Sequence, residues 1–129
     1  MTGVWGRRLL AIGLASAVVL PGCETSEEPG GSPPTVPPGG AAITANALAF
    51  DRSELLITAG RSFVLLFENR DSAPHNVSLI DAATGEAVFV GEVFSGPASR
   101  LYEVPPISAG DYTFRCDVHP EMSASAIAS

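Results

Sequence analysis

From Ala41 to Ser129 no stretch sustains the 3.6-residue apolar repeat of a helix. Short runs of β-forming residues alternate with turn residues instead, which confines this part of the chain to an all-β fold. The runs are Ile43–Phe50, Leu55–Thr58, Ser62–Asn69, His75–Asp81, Glu86–Phe94, Leu101–Val104, Tyr112–Cys116 and Ala124–Ser129. Ser62–Asn69 is the richest in β-formers. Asp71-Ser72-Ala73-Pro74, Pro105-Pro106 and Ala109-Gly110-Asp111 punctuate the pattern. Seven or eight short strands predict a sandwich or barrel. A domain of this length buries roughly 60% of its unfolded surface without disulfides.

The front of the chain reads differently. Residues 1–22 resemble a secretion signal: Arg7 and Arg8 precede the apolar run Leu9–Leu20, which is too short to span a bilayer. Leu20-Pro21-Gly22-Cys23 resembles a bacterial lipoprotein box, so Cys23 is expected to be lipidated and to become the new N-terminus. The alternative is cleavage after Ala15-Ser16-Ala17, which leaves Cys23 as a free thiol. Residues 24–40 carry five Pro and four Gly, which builds no packed element. With Cys23 they form an expected tether, 23–40, able to hold the domain at 41–129 up to roughly 50 Å from an anchor.

Seven Lys+Arg, all of them Arg, face 14 Asp+Glu, for a net charge of −7. The domain from Ala41 keeps −6 of it. No basic stripe exists to displace counterions, so nucleic acid is excluded as a partner, as is a cationic membrane-surface helix. Two Cys make neither a disulfide scaffold nor a four-Cys zinc site.

Chemistry must therefore come from few side chains. His75 and His119 are the only His, Cys116 is the only Cys after the tether, and Met122 is the only Met beyond position 1. Taken singly, such residues are most often structural: a core His, a small buried Cys, a packing Met. Here three of them form one loop, Cys116-Asp117-Val118-His119-Pro120-Glu121-Met122, and His75 lies 41 residues upstream after Pro74. Two imidazoles, a thiolate and a weak thioether suit an electron-transfer copper site. Pro120 stands where a paired-copper site needs a second Cys. With both His claimed, none is left for a Ser-His-Asp set.

The domain resembles the cupredoxins, the blue-copper family of plastocyanin, amicyanin and pseudoazurin. The signature runs through Thr58-Ala59-Gly60, Phe67-Glu68-Asn69, Pro74-His75-Asn76, Gly110-Asp111-Tyr112-Thr113-Phe114-Arg115-Cys116 and His119-Pro120-Glu121-Met122. The resemblance implies a Greek-key β-sandwich with one type 1 copper at one end. It implies His75, Cys116 and His119 as equatorial ligands and Met122 as the axial one. Asn76 would tie the two ligand loops together and donate toward the thiolate. The implied activity is one-electron transfer rather than enzymatic catalysis; the alternative is a module that stores or delivers copper, and an accessory domain with an empty site is a further rival. Arg115 stands where plastocyanins carry Tyr, which leaves His119, flanked by Val118 and Pro120, as the expected route for electrons. The expected partner is a redox protein of the cell envelope with a basic docking face, met by a monomer on a lipid anchor. The final run, Ser123–Ser129, is expected to be a weak, short edge strand.

Overall fold

The computed structural model describes residues 34–129. The expected signal peptide, Cys23 and the tether as far as residue 33 lie outside the described residues.

The chain forms β1 (Ala41–Asn46), β2 (Ala49–Phe50), β3 (Glu54–Ile57), β4 (Phe63–Asn69), β5 (Pro74–His75), β6 (Ser78–Asp81), β7 (Ala87–Val90), β8 (Phe94–Ser95), β9 (Ala98–Val104), β10 (Gly110–Arg115) and β11 (Ser123–Ala128). One sheet has the order β2-β1-β4-β9 and the other β3-β11-β10-β6-β7, while β5 and β8 pair on their own. This is the all-β sandwich the strand pattern predicts. Alternation supplies the facing layers: Phe63, Leu65, Phe67 and Asn69 of β4 are buried, with half-buried residues between them. Ile43, Leu65 and Phe67 from one sheet meet Leu79, Phe114 and Ala126 from the other in a common core. Phe67 packs edge-to-face on Phe94, with ring centroids 5.5 Å apart.

Three predicted runs are each divided. Ile43–Phe50 turns back on itself at Ala47 and Leu48, whose φ values of 52° and 60° are left-handed, so β1 and β2 pair as a hairpin. His75–Asp81 breaks after β5 because Asn76 turns its amide to other loops. Glu86–Phe94 breaks between β7 and β8, where the Gly91 N–H bonds the Val77 carbonyl.

The end of the chain also departs from expectation. β11 is no edge: it lies between β3, to which it is parallel, and β10. Its small residues are the reason it fits there. Ala124, Ala126 and Ala128 all face inward and leave room for the large side chains of the core around them.

β1 runs parallel to β4, with Ala41 opposite Leu65 and Ala45 opposite Asn69. The residues before β1 therefore reach the sandwich at the β4 start. There Pro37 and Gly40 line an open groove of about 320 Å³ together with Arg61, Phe63 and Glu103.

Candidate metal centre

The end of β4 begins a short path to His75. Asn69 is fully buried, and its side-chain bonds hold the following turn and tie it to β8. Its Nδ2 donates to the carbonyls of Ala73 (2.9 Å) and Phe94 (2.8 Å), and its Oδ1 accepts from the Asp71 N–H (2.9 Å). This turn delivers Pro74-His75 to β5, where His75 pairs with Phe94. Gly96 closes the far side, its N–H on the Asp71 carbonyl at 2.9 Å. A Cβ on Gly96 would overlap the backbone oxygens of Asn69 and Asp71, so only glycine fits.

The His75 ring is 0% exposed, and its Nε2 lies 3.0 Å from Oδ2 of Asp71. The Asp71 carboxyl is held below the usual carboxylate range, first by the N–H groups of Ala47 and Leu48 and further by His75. An ionised carboxylate only accepts, so Nε2 carries the hydrogen and Nδ1 presents its lone pair. Donation of the outer nitrogen to a carboxylate is the usual way a metal-binding His is oriented.

The second segment joins β10 to β11. Arg115 and Ser123 are paired across the two strands, and residues 116–122 form the loop between them. The Cys116 N–H donates to the Met122 carbonyl at 3.1 Å, and the Met122 N–H to the His119 carbonyl at 2.9 Å. The loop thus folds back over itself. Cys116 and Met122 are buried, His119 is half-buried, and Val118 and Pro120 beside it are exposed.

Three side chains converge. Nδ1 of His75 and Nδ1 of His119 are 3.1 Å apart, and Sγ of Cys116 lies 3.7 Å from the first and 3.8 Å from the second. A point equidistant from these atoms is about 2.1 Å from each, against usual metal–nitrogen distances of about 2.0–2.1 Å and metal–sulfur distances of about 2.3 Å. The donor set of one thiol and two imidazoles fits a borderline-soft transition metal rather than Ca²⁺ or Mg²⁺. Met122 is buried at the end of the same loop, next to the strand it introduces.

Asn76 is hydrogen-bonded to the residue after Cys116. Its Oδ1 accepts from the Asp117 N–H (2.7 Å), while its Nδ2 donates to Asp117 Oδ2 (2.7 Å) and the Gly91 carbonyl (3.1 Å). The side-chain hydrogens of Nδ2 go to these oxygens. Sequence reasoning passed over Asp71 and Asp117. The available signal was an acid placed beside each ligand-bearing segment, four residues before His75 and one after Cys116.

A family profile described as a Cupredoxin-like domain matches residues 14–128. Amicyanin of Paracoccus denitrificans is 25% identical over 119 residues, spanning 92% of this chain and 87% of the amicyanin. The structure of amicyanin from Paracoccus versutus superposes with a TM-score of 0.55 and 25% identity, over 73% of this chain and 85% of that one. Auracyanin A of Chloroflexus aurantiacus, a "blue" copper protein, superposes with a TM-score of 0.60 and 19% identity, over 70% and 100% of the two chains. At that identity the likeness speaks for the fold alone.

Proposed function

The chain belongs to the cupredoxin-like family, and from that premise we propose that it is a blue-copper carrier of single electrons in the cell envelope. His75, Cys116, His119 and Met122 would hold the copper. The convergence of two Nδ1 atoms and one Sγ within 3.8 Å carries this reading. Bound copper supplies a Cu(II)/Cu(I) couple that gains and loses one electron. The protein's part is to hold the donors still. Asp71 orients the His75 ring, the backbone bonds of residues 116–122 fix the loop, and burial keeps water from Cys116. With four protein donors committed, no coordination position is left for a substrate, which suits a carrier and not an enzyme.

The experiment is an absorption spectrum of copper-loaded protein. A strong visible thiolate-to-Cu(II) band should appear, bleach on reduction and return on reoxidation with the metal retained. Cys116→Ala should be colourless. A loaded wild type without the band sinks the carrier reading, and loss of copper on each cycle would favour storage or delivery.

The same reading places the protein on a lipid anchor, with 1–22 removed, Cys23 acylated and 23–40 as the tether to the domain at 41–129. The short apolar run and Leu20-Pro21-Gly22-Cys23 support it. The protein should partition into detergent, and Cys23→Ala should abolish this; recovery of the wild type in the aqueous phase would favour plain secretion. The partner is a redox protein with a basic docking face, drawn by the −6 charge of the domain toward His119. Val118, 44% exposed beside that ring, offers apolar contact.

A further inference from the structure

Asp117 follows Cys116, and its carboxylate is where three segments meet. Oδ2 accepts from Nδ2 of Asn76 and from the Ser78 hydroxyl, and Oδ1 accepts from Nη2 of Arg115 at 3.1 Å. The Asp117 N–H returns a bond to Oδ1 of Asn76. Asn76 is the residue after His75, and Asp117 is the residue after Cys116. A reciprocal amide–carboxylate clamp therefore joins the neighbours of two converging side chains. Both Asn76 and Ser78 are buried, and hydrogen bonds to an ionised acceptor in such a place are strong.

The clamp would close with a neutral acceptor too, so the charge itself calls for a role. Asn76 and Ser78 are neutral donors and leave the carboxylate's charge in place. Among the described residues only Arg115 opposes it, through one contact from a side chain that is 43% exposed. A negative group on the residue that follows Cys116 favours the more positive state of whatever metal the sulfur holds. We propose that Asp117 is a positioning residue that locks the Cys116 loop to the His75 segment and, by its charge, biases the centre toward its oxidised state. The inference rests on the electron-carrier reading.

Asp117→Asn keeps the size and one oxygen acceptor and removes the charge. In copper-loaded protein its visible band should remain, and the equilibrium for reduction should shift toward Cu(I) by roughly tenfold, a rise of about 59 mV for a one-electron couple. Arg115→Gln removes the opposing charge and should move the equilibrium the other way. In metal-free protein, Asp117→Ala should melt at a lower temperature than Asp117→Asn, because it loses the acceptor as well. An unchanged or lowered potential in Asp117→Asn with its band intact overturns the electrostatic part. If that variant does not fold, an unchanged potential in Arg115→Gln overturns it instead. Equal melting of the Ala and Asn variants overturns the positioning part. None of these results touches the carrier reading, which fails only if the loaded wild type shows no visible band.

Discussion

Met122 bears on the proposed centre through its backbone and through its thioether, and the two can be separated. Its backbone holds the loop shut through Cys116 and His119, and a side-chain substitution leaves those bonds in place. Its buried thioether would be the soft fourth donor of the proposed site. Met122→Gln substitutes a harder oxygen, which favours Cu(II). The site should still bind copper while its reduction equilibrium moves toward Cu(II) by about tenfold, a fall of about 59 mV for one electron. Voltammetry of the variant against wild type measures this directly. An unchanged potential would remove Met122 from the coordination sphere. His75 carries a comparable lesson. It stands out as a candidate donor only beside the Cys116–Met122 loop, and the atom it presents is decided by Asp71, which holds the hydrogen on Nε2.

The paired strands and their turns show what a linear reading can reach. β4 and β10 lie close to where their alternation puts them, because their period reports one buried face and one half-buried face. The β1–β2 hairpin left no such mark. Asn46-Ala47-Leu48-Ala49 lacks the glycine that a left-handed turn usually demands. The turn forms because the Asp71 carboxylate, more than twenty residues away, accepts the N–H groups of Ala47 (2.9 Å) and Leu48 (3.2 Å). β11 was misread for a related reason: a run of Ala and Ser looks weak alone, yet the cavity it fills is shaped by other strands. Likewise Asp117 could not be read as a clamp, because its partners Asn76 and Ser78 lie some 40 residues upstream. Gly96 offers a test at this level. Gly96→Ala drives a Cβ into the backbone that leads to His75. The metal-free domain should lose about 2 kcal/mol, or roughly 10 °C of melting temperature. A melting curve that superposes on wild type would show that this turn yields without cost.

Acid should loosen the domain as a unit. Asp51, Asp71 and Asp117 are all held below their ordinary range. For Asp51 burial works against this, and the bonds from Arg52 and the Thr44 N–H prevail. A carboxylate whose folded pKa lies below its unfolded value of about 3.9 contributes stability above that pH and loses it as the pH falls through the folded value. Metal-free protein should therefore melt at steadily lower temperature from about pH 4 downward, and Asp51→Asn should flatten part of that slope. The metal-free form is the right sample, because proton competition at His and Cys would add its own pH dependence. A midpoint that stays level down to about pH 3 would mean these bonds contribute nothing net. The parallel register of β1 and β4 sets where the chain enters the sandwich. Ala45, beside Asn69, lies about 13 Å along the strand from Ala41, so the chain joins the sandwich at the pole remote from His75 and Cys116. The segment that leads into β1 and the converging side chains thus occupy opposite ends of the sandwich, and the end that carries His75 and Cys116 is left clear for whatever meets it.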